Sequence, residues 1–268
     1  MPTLDSAACA ALMDALTALS ASAMQAIRDA AGDREVRSKA DGSPVTAADE
    51  AAETVIRDGL TRLAPAVPIV SEEHTAREKP KRPSGDSASY FLVDPLDGTR
   101  EFIAGRDEYT INIAVITDGV PVLGIITAPA LGLAWRGIAG RGAERIELAG
   151  NKASQPSAIH IRPRPESELV IMLSRSHLEA RTQAYVDRFP HAKRIQCGSS
   201  IKFCRLAEGA ADLYPRLAPT HDWDVAAGHA ILTAAGGHMA APDGAPLVYG
   251  SSELLIPAFI ASGAPLTA

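Results

Sequence analysis

The chain has 268 residues, of which 46% are hydrophobic and only 4% aromatic, and its formal net charge is −6. That length fits one large domain or two small ones in contact, with a core of Ala, Val, Leu and Ile and no need of staples. The acidic balance without a Lys/Arg cluster argues against a nucleic-acid binder. Cys9, Cys197 and Cys204 are odd in number and lack metal-ligand spacing, so they read as free thiols of a reducing compartment.

Leu12, Leu16, Leu19, Ala23 and Ile27 recur every three or four residues and predict an amphipathic helix ending near Gly32. Asp5 and Asp14 interrupt the apolar N-terminal run, and no basic segment precedes it, so it does not read as a signal peptide. Residues 38–44 are polar and predict a mobile loop. Thr46 then opens a second helix with Ala48, Ala52, Val55, Ile56 and Leu63 as its stripe. A short strand over 67–70 delivers Ser71-Glu72-Glu73, and residues 74–89 form a polar excursion. The buried strand Phe91-Leu92-Val93 runs into Asp94-Pro95-Leu96-Asp97-Gly98-Thr99, where Pro95 is expected to break the ladder. Residues 110–117 and 121–128 predict a hairpin about Thr117-Asp118-Gly119, which also divides the apolar stretch 110–135 into pieces too short to span a membrane.

A domain boundary is expected near 150, dividing the chain into parts 1–150 and 151–268. Beyond it, strands are predicted at 169–173, 194–197 and 212–214. Helices are predicted at 178–188, 199–208 and 224–235, the last capped by Gly236-Gly237. This alternation is that of a layered α/β second half.

Glu72, Asp94, Asp97 and Asp224 sit where strands end or helices begin. Carboxylates brought to one sheet edge repel unless a cation neutralises them, and hard oxygen ligands of this kind suit Mg²⁺ shared with phosphate. Gly98-Thr99 opens a helix start able to receive an anion. Each residue has a plainer reading: Thr46 and Asp49 make a capping box, Asp97 a turn, Thr99 and Asp224 caps, and Glu72-Glu73 a solvated pair.

Ser71-Glu72-Glu73, Asp94-Pro95-Leu96-Asp97-Gly98-Thr99 and Trp223-Asp224-Val225-Ala226-Ala227-Gly228 resemble the three signatures of the inositol monophosphatase superfamily. The segments 38–49, 99–103, 174–177, 198–204 and 213–216 make the chain most similar to its bacterial CysQ-type 3'(2'),5'-bisphosphate nucleotidases. The resemblance implies an α/β (α+β) fold, a layered αβαβα sandwich of the inositol monophosphatase/fructose-1,6-bisphosphatase type. Its N-terminal part would supply most metal ligands, and its C-terminal part Asp224 and the nucleotide contacts. The implied activity is Mg²⁺-dependent hydrolysis of the 3'-phosphate of adenosine 3',5'-bisphosphate by a metal-activated water.

By the same resemblance Glu72, Asp94, the Leu96 carbonyl, Asp97 and Asp224 hold two or three Mg²⁺ ions, with Glu73 just outside. Asp49 and Thr99 orient and deprotonate the attacking water. Gly98 and Thr99 meet the scissile phosphate, and Asp224 lies near the leaving ribose oxygen. Ser174, His177, Gly198 and Lys202 surround the nucleotide, and Arg175 and Arg216 are further candidates there whose plainer reading is a surface or inter-element ion pair. His177 as a helix cap and Lys202 as a solvated lysine remain open alternatives. A cytoplasmic monomer or homodimer, sensitive to lithium and without a transmembrane segment, is expected. The rival readings are the same chemistry on inositol monophosphate or fructose 1,6-bisphosphate, an aspartyl-nucleophile phosphatase, and a non-catalytic metal or nucleotide binder. The three-residue spacing of Asp94 and Asp97 argues against the second, and the presence of both Asp49 and Thr99 against the third.

Overall fold

Alternate residues of the strand at 90–97 and of its neighbours face two different cores, and this two-sided burial organises the molecule. A computed structural model of the chain describes residues 6–32, 35–39, 42–77, 89–150, 152–166, 168–176 and 178–264. Helix α1 (Ser6–Ala30) leads into a small hairpin of β1 (Val36–Ser38) and β2 (Pro44–Thr46), followed by α2 (Ala47–Leu63). Next come β3 (Ile69–Ser71), the short α3 (Glu72–Arg77), β4 (Tyr90–Asp97) and α4 (Thr99–Ile103). A meander of β5 (Thr110–Thr117), β6 (Val120–Ala128), β7 (Leu133–Ile138) and β8 (Gly142–Ala149) continues through β9 (Lys152–Ala153) and β10 (Ser157–Ile159). Strands β3 to β10 form one sheet in the order β10-β8-β7-β6-β5-β4-β3, with β9 paired to β8.

The rest alternates: β11 (Val170–Ser174), α5 (Ala180–Val186), β12 (Lys193–Cys197), α6 (Ile201–Ala207), β13 (Leu213–Arg216), β14 (Thr220–His221), α7 (Ala226–Ala234), β15 (His238–Ala240), β16 (Leu255–Ile256) and β17 (Phe259–Ser262). A second sheet runs β12-β11-β13-β17-β15, with β11 parallel to β12 and β13.

One face of the large sheet, with Phe91, Val93, Ile111, Ile113 and Ile125, packs on Leu16, Met24 and Ile27 of α1 and Ala52, Ile56 and Leu60 of α2. Its other face, with Leu92, Ala114, Ile126 and Trp135, packs on α6 and α7, which in turn cover Met172, Tyr214 and Phe259 of the second sheet. Ile171, Leu173 and Leu213 turn the other way, toward Val186 of α5. The layers are therefore α, β, α, β, α, as the resemblance implies. Helix α1 is long and apolar enough to cross a membrane by length and composition. Its apolar stripe is instead buried against the sheet.

Several local expectations are corrected. Leu63 is exposed and Leu60 carries the α2 stripe, because the helix face turned to the sheet repeats at 48, 52, 56 and 60. Residues 36–46 include a hairpin, not only a loop. The polar segment after Glu72 starts with α3, and positions 78–88 lie outside the described residues. The ladder of β4 against β5 is interrupted between Asp94 and Asp97, as expected at Pro95, but the strand itself continues to Asp97. The large sheet extends through β10, past the expected division at 150. Gly236, at a φ of 93°, ends α7, and Gly237 N–H donates to the Leu232 carbonyl, as the paired glycines predict.

Candidate active site

Two residues three apart on a regular strand point to opposite faces. Between the pairs Asp94↔Asn112 and Asp97↔Thr110 the register of β4 against β5 shifts, so β4 spends one residue more than its partner. This bulge returns Asp97 to the side of Asp94. Asp224 arrives from the single turn Asp222–Asp224 before α7, where it accepts hydrogen bonds from the Thr220 hydroxyl and the His221 N–H. One carboxylate oxygen from each of Asp94, Asp97 and Asp224 then lies within 4.8 Å of the others. Glu72, at the first position of α3, borders the same cleft.

The electrostatics follow from this crowding. Burial, with Glu72, Asp97 and Asp224 close by, holds the Asp94 carboxyl well above the ordinary aspartate range. Burial and Asp224 push Asp97 up to about 6, against the pull of Lys202, Ser200 and Asn112. Glu72 is pushed up to about 7 by burial, with Lys39 opposing and Asp224 and Glu73 reinforcing. Lys39 Nζ lies 2.6 Å from both Glu72 Oε1 and Glu73 Oε1. Glu73 is 3% exposed, so the solvated-pair reading does not hold for it. Buried, mutually repelling hard oxygen donors that one lysine only partly neutralises fit a divalent cation.

Asp49 is both a cap and a wall of the site. Its Oδ2 accepts from Thr46 N–H at 2.8 Å and Thr46 Oγ1 at 2.6 Å, completing the capping box of α2. Its Oδ1 faces Thr99 Oγ1 at 3.0 Å, and Thr99 Oγ1 also lies 3.2 Å from the Leu96 carbonyl oxygen. Burial raises the Asp49 carboxyl while the Thr46 and Thr99 hydrogen bonds oppose the rise. Gly98, at a φ of 93°, precedes Thr99 in the left-handed region that glycine adopts at little cost.

A cleft of about 370 Å³ is lined by Ser174, Gly198, Lys202, Tyr214 and Arg216 as well as Asp97, Gly98, Thr99 and Asp224. Lys202 is only 3% exposed. It donates to the Cys197 carbonyl at 3.3 Å and to the Ser199 carbonyl, and lies 5.1 Å from the Tyr214 ring centroid. It is thus a buried cation of the cleft wall, not a solvated helical lysine. Gly198 gives its N–H to Glu108 at 2.9 Å, so what it offers the cleft is room. His177 lies outside the described residues.

Several supporting residues were not singled out by sequence reasoning. Ser200 donates toward Asp97 at 2.7 Å and the Asp224 carbonyl at 2.8 Å, and Asn112 Nδ2 lies 2.9 Å from Ser200 Oγ. A polar Asn112 inside the apolar run Ile111–Ile116 was the available signal. Arg216, whose plainer reading is an ion pair, lines the cleft, and its buried Nε has no hydrogen-bond partner among the described residues. No spacing rule marks Lys39, Thr220 or Arg216, because their partners are distant in sequence or set by loop geometry.

Residues 9–265 match the inositol monophosphatase family, and the chain belongs to it. It is 42% identical over 231 residues to the 3'(2'),5'-bisphosphate nucleotidase CysQ of Escherichia coli (strain K12), covering 86% of this chain and 89% of that one. The crystal structure of CysQ from Bacteroides thetaiotaomicron superposes with a TM-score of 0.81 at 33% identity, covering 94% of this chain and 97% of that chain. An inositol monophosphatase from Anabaena shares the fold, with a TM-score of 0.74 at 24% identity over 94% of this chain and 90% of its own.

Proposed function

We propose that this chain is a Mg²⁺-dependent 3'(2'),5'-bisphosphate nucleotidase that hydrolyses adenosine 3',5'-bisphosphate to AMP and phosphate. The observation that carries the reading is one cleft lined by Asp97, Thr99, Asp224, Lys202 and Arg216, with Asp94 clustered against the two aspartates and Asp49 bonded to Thr99. An acidic site with cations in the same cleft suits a substrate bearing two phosphates, one at each. The likeness to CysQ enzymes supports the same substrate.

Glu72, Asp94, the Leu96 carbonyl, Asp97 and Asp224 would hold Mg²⁺. When bound, Mg²⁺ neutralises the carboxylates and polarises the phosphoryl oxygens. Thr99 Oγ1 donates its proton toward Asp49 Oδ1, which leaves its lone pairs free to accept a proton from an attacking water. The Asp49 carboxyl, raised by burial, is the better base for it. Thr46 holds the other Asp49 oxygen and fixes the orientation of the pair. Attack in line forms the new P–O bond as the P–O3' bond breaks, the leaving 3'-oxygen takes a proton from solvent water to become the AMP hydroxyl, and no covalent phosphoenzyme forms. Ser200 and Asn112 orient Asp97, and Thr220 orients Asp224.

The test is phosphate release with Mg²⁺ from adenosine 3',5'-bisphosphate, inositol 1-phosphate and fructose 1,6-bisphosphate. A preference of about 100-fold or more in kcat/KM for the nucleotide is expected. Preference for inositol 1-phosphate would keep the metal chemistry and overturn the substrate assignment.

A further inference from the structure

The cleft is lined by residues from two stretches of the chain, 43–101 and 174–259, and its span must match the substrate. One segment, 101–108, reaches across it. Glu101, two residues after Thr99, is 4% exposed and accepts from Ser176 Oγ at 2.6 Å. Glu108 accepts from Arg175 Nε at 3.0 Å, Arg175 Nη2 at 2.7 Å and Gly198 N–H at 2.9 Å. Arg175 and Ser176 follow β11, and Gly198 follows β12. These parallel strands are in register at Ser174↔Cys197. Arg175 Nη2 also reaches the Gln196 carbonyl at 3.1 Å, tying both strand ends to Glu108.

The backbone of Glu108 is the spacer itself. A β-carbon placed on Gly98 would lie 3.1 Å from the Glu108 carbonyl oxygen, and one placed on Gly198 would lie 2.8 Å from the same oxygen. One peptide therefore separates the turn facing the scissile phosphate from the loop that leads to Lys202. Glu101 Cγ would stand 2.7 Å from that Gly198 β-carbon, so no side chain fits there without moving the loop. A two-pronged guanidinium–carboxylate pair sets a plane as well as a distance.

We propose that Glu108 and Arg175, supported by Glu101 and Ser176, are positioning residues that set the distance between the scissile phosphate and the second phosphate. They thereby determine selection of bisphosphates over monophosphates. The inference rests on the bisphosphate reading above. None of the four is placed among the groups that touch the reacting atoms, so their loss acts on the span of the cleft and not on the acidic wall.

The experiment compares kcat and KM of the full-length wild type, Glu108→Gln, Arg175→Ala and Arg175→Lys for adenosine 3',5'-bisphosphate and adenosine 3'-monophosphate. Both substrates present the same scissile group, and only the first carries a second phosphate. In Glu108→Gln and Arg175→Ala, KM for the bisphosphate is expected to rise about tenfold or more, with kcat/KM for the monophosphate within about twofold of wild type. Arg175→Lys keeps the charge and loses the fork, so a smaller shift in the same direction is expected, and it serves if Arg175→Ala does not accumulate folded. A selectivity unchanged in the variants, or a parallel fall for both substrates, overturns the inference and leaves the bisphosphate reading standing. A wild type that itself shows no preference for the bisphosphate overturns that reading, and this inference with it.

Discussion

At the scale of single residues, the acidic wall works against the stability of the metal-free chain. Asp94 is 1% exposed, and its carboxyl is crowded by Glu72, Asp97 and Asp224. Its Oδ1 accepts the Leu96 N–H at 3.0 Å, a bond an asparagine oxygen retains. Asp94→Asn therefore removes repulsion without removing the hydrogen bond. The variant should be about 1–3 kcal/mol more stable than wild type in a chelator and should lose roughly 10³-fold or more in turnover. Thermal melts with EDTA check the first half and phosphate release the second. A lower melting temperature than wild type would show that Asp94 is not a strained ligand.

At the scale of elements, the site depends on how closely α7 lies on the large sheet. A β-carbon on Gly124 of β6 would stand 2.4 Å from the Ala227 carbonyl oxygen. Backbone meets backbone there, so the added methyl must push the helix away. Asp224 sits one turn before Ala227 and moves with it. Gly124→Ala should cost about 2–3 kcal/mol by urea unfolding, and the Mg²⁺ concentration for half-maximal activity should rise. Lost stability with unchanged Mg²⁺ dependence would uncouple the packing of α7 from the placement of Asp224.

At the scale of the whole molecule, one group that works against acid resistance is a neutral histidine between α7 and the chain beyond Asp243. His229 Nδ1 lies 2.9 Å from the Tyr249 hydroxyl, and burial lowers its pKa from 6.5 to about 4. The unfolded chain takes up this proton as pH falls below about 6.5, and the folded chain does so only near 4. The contribution of His229 to stability is thus full above 6.5, falls between 6.5 and 4, and levels off below, while the raised carboxyls of Asp94, Asp97 and Glu72 act in the opposite sense. Taking the shift at face value gives about 2 kcal/mol lost by pH 5, and partial exposure reduces that to about 1–2 kcal/mol. His229→Gln should lose less stability than wild type between pH 7.5 and 5, measured by denaturant unfolding. Equal losses would assign the acid sensitivity elsewhere.

Short-range periodicity and local motifs carry the features that can be read along the chain. The stripes of α1 and α2, the hairpin about Asp118-Gly119, the alternation after residue 169 and the three acidic motifs were legible because each depends on neighbours within a few turns. The convergence of Asp94 with Asp97 was expected from a turn at Pro95 and from the resemblance, but its means was not: strand period sends them to opposite faces, and the bulge against β5 reverses that. Asp49 was read as a cap to Thr46 and, by the resemblance, as the partner of Thr99; that its two carboxylate oxygens serve both at once is decided in the folded chain. Lys39 against Glu72 and Glu73, Arg216 in the cleft and Glu108 between Gly98 and Gly198 belong to the tertiary structure alone. Their partners come from separate layers of the sandwich, and which side chains meet across layers is decided by close packing, not by spacing along the chain.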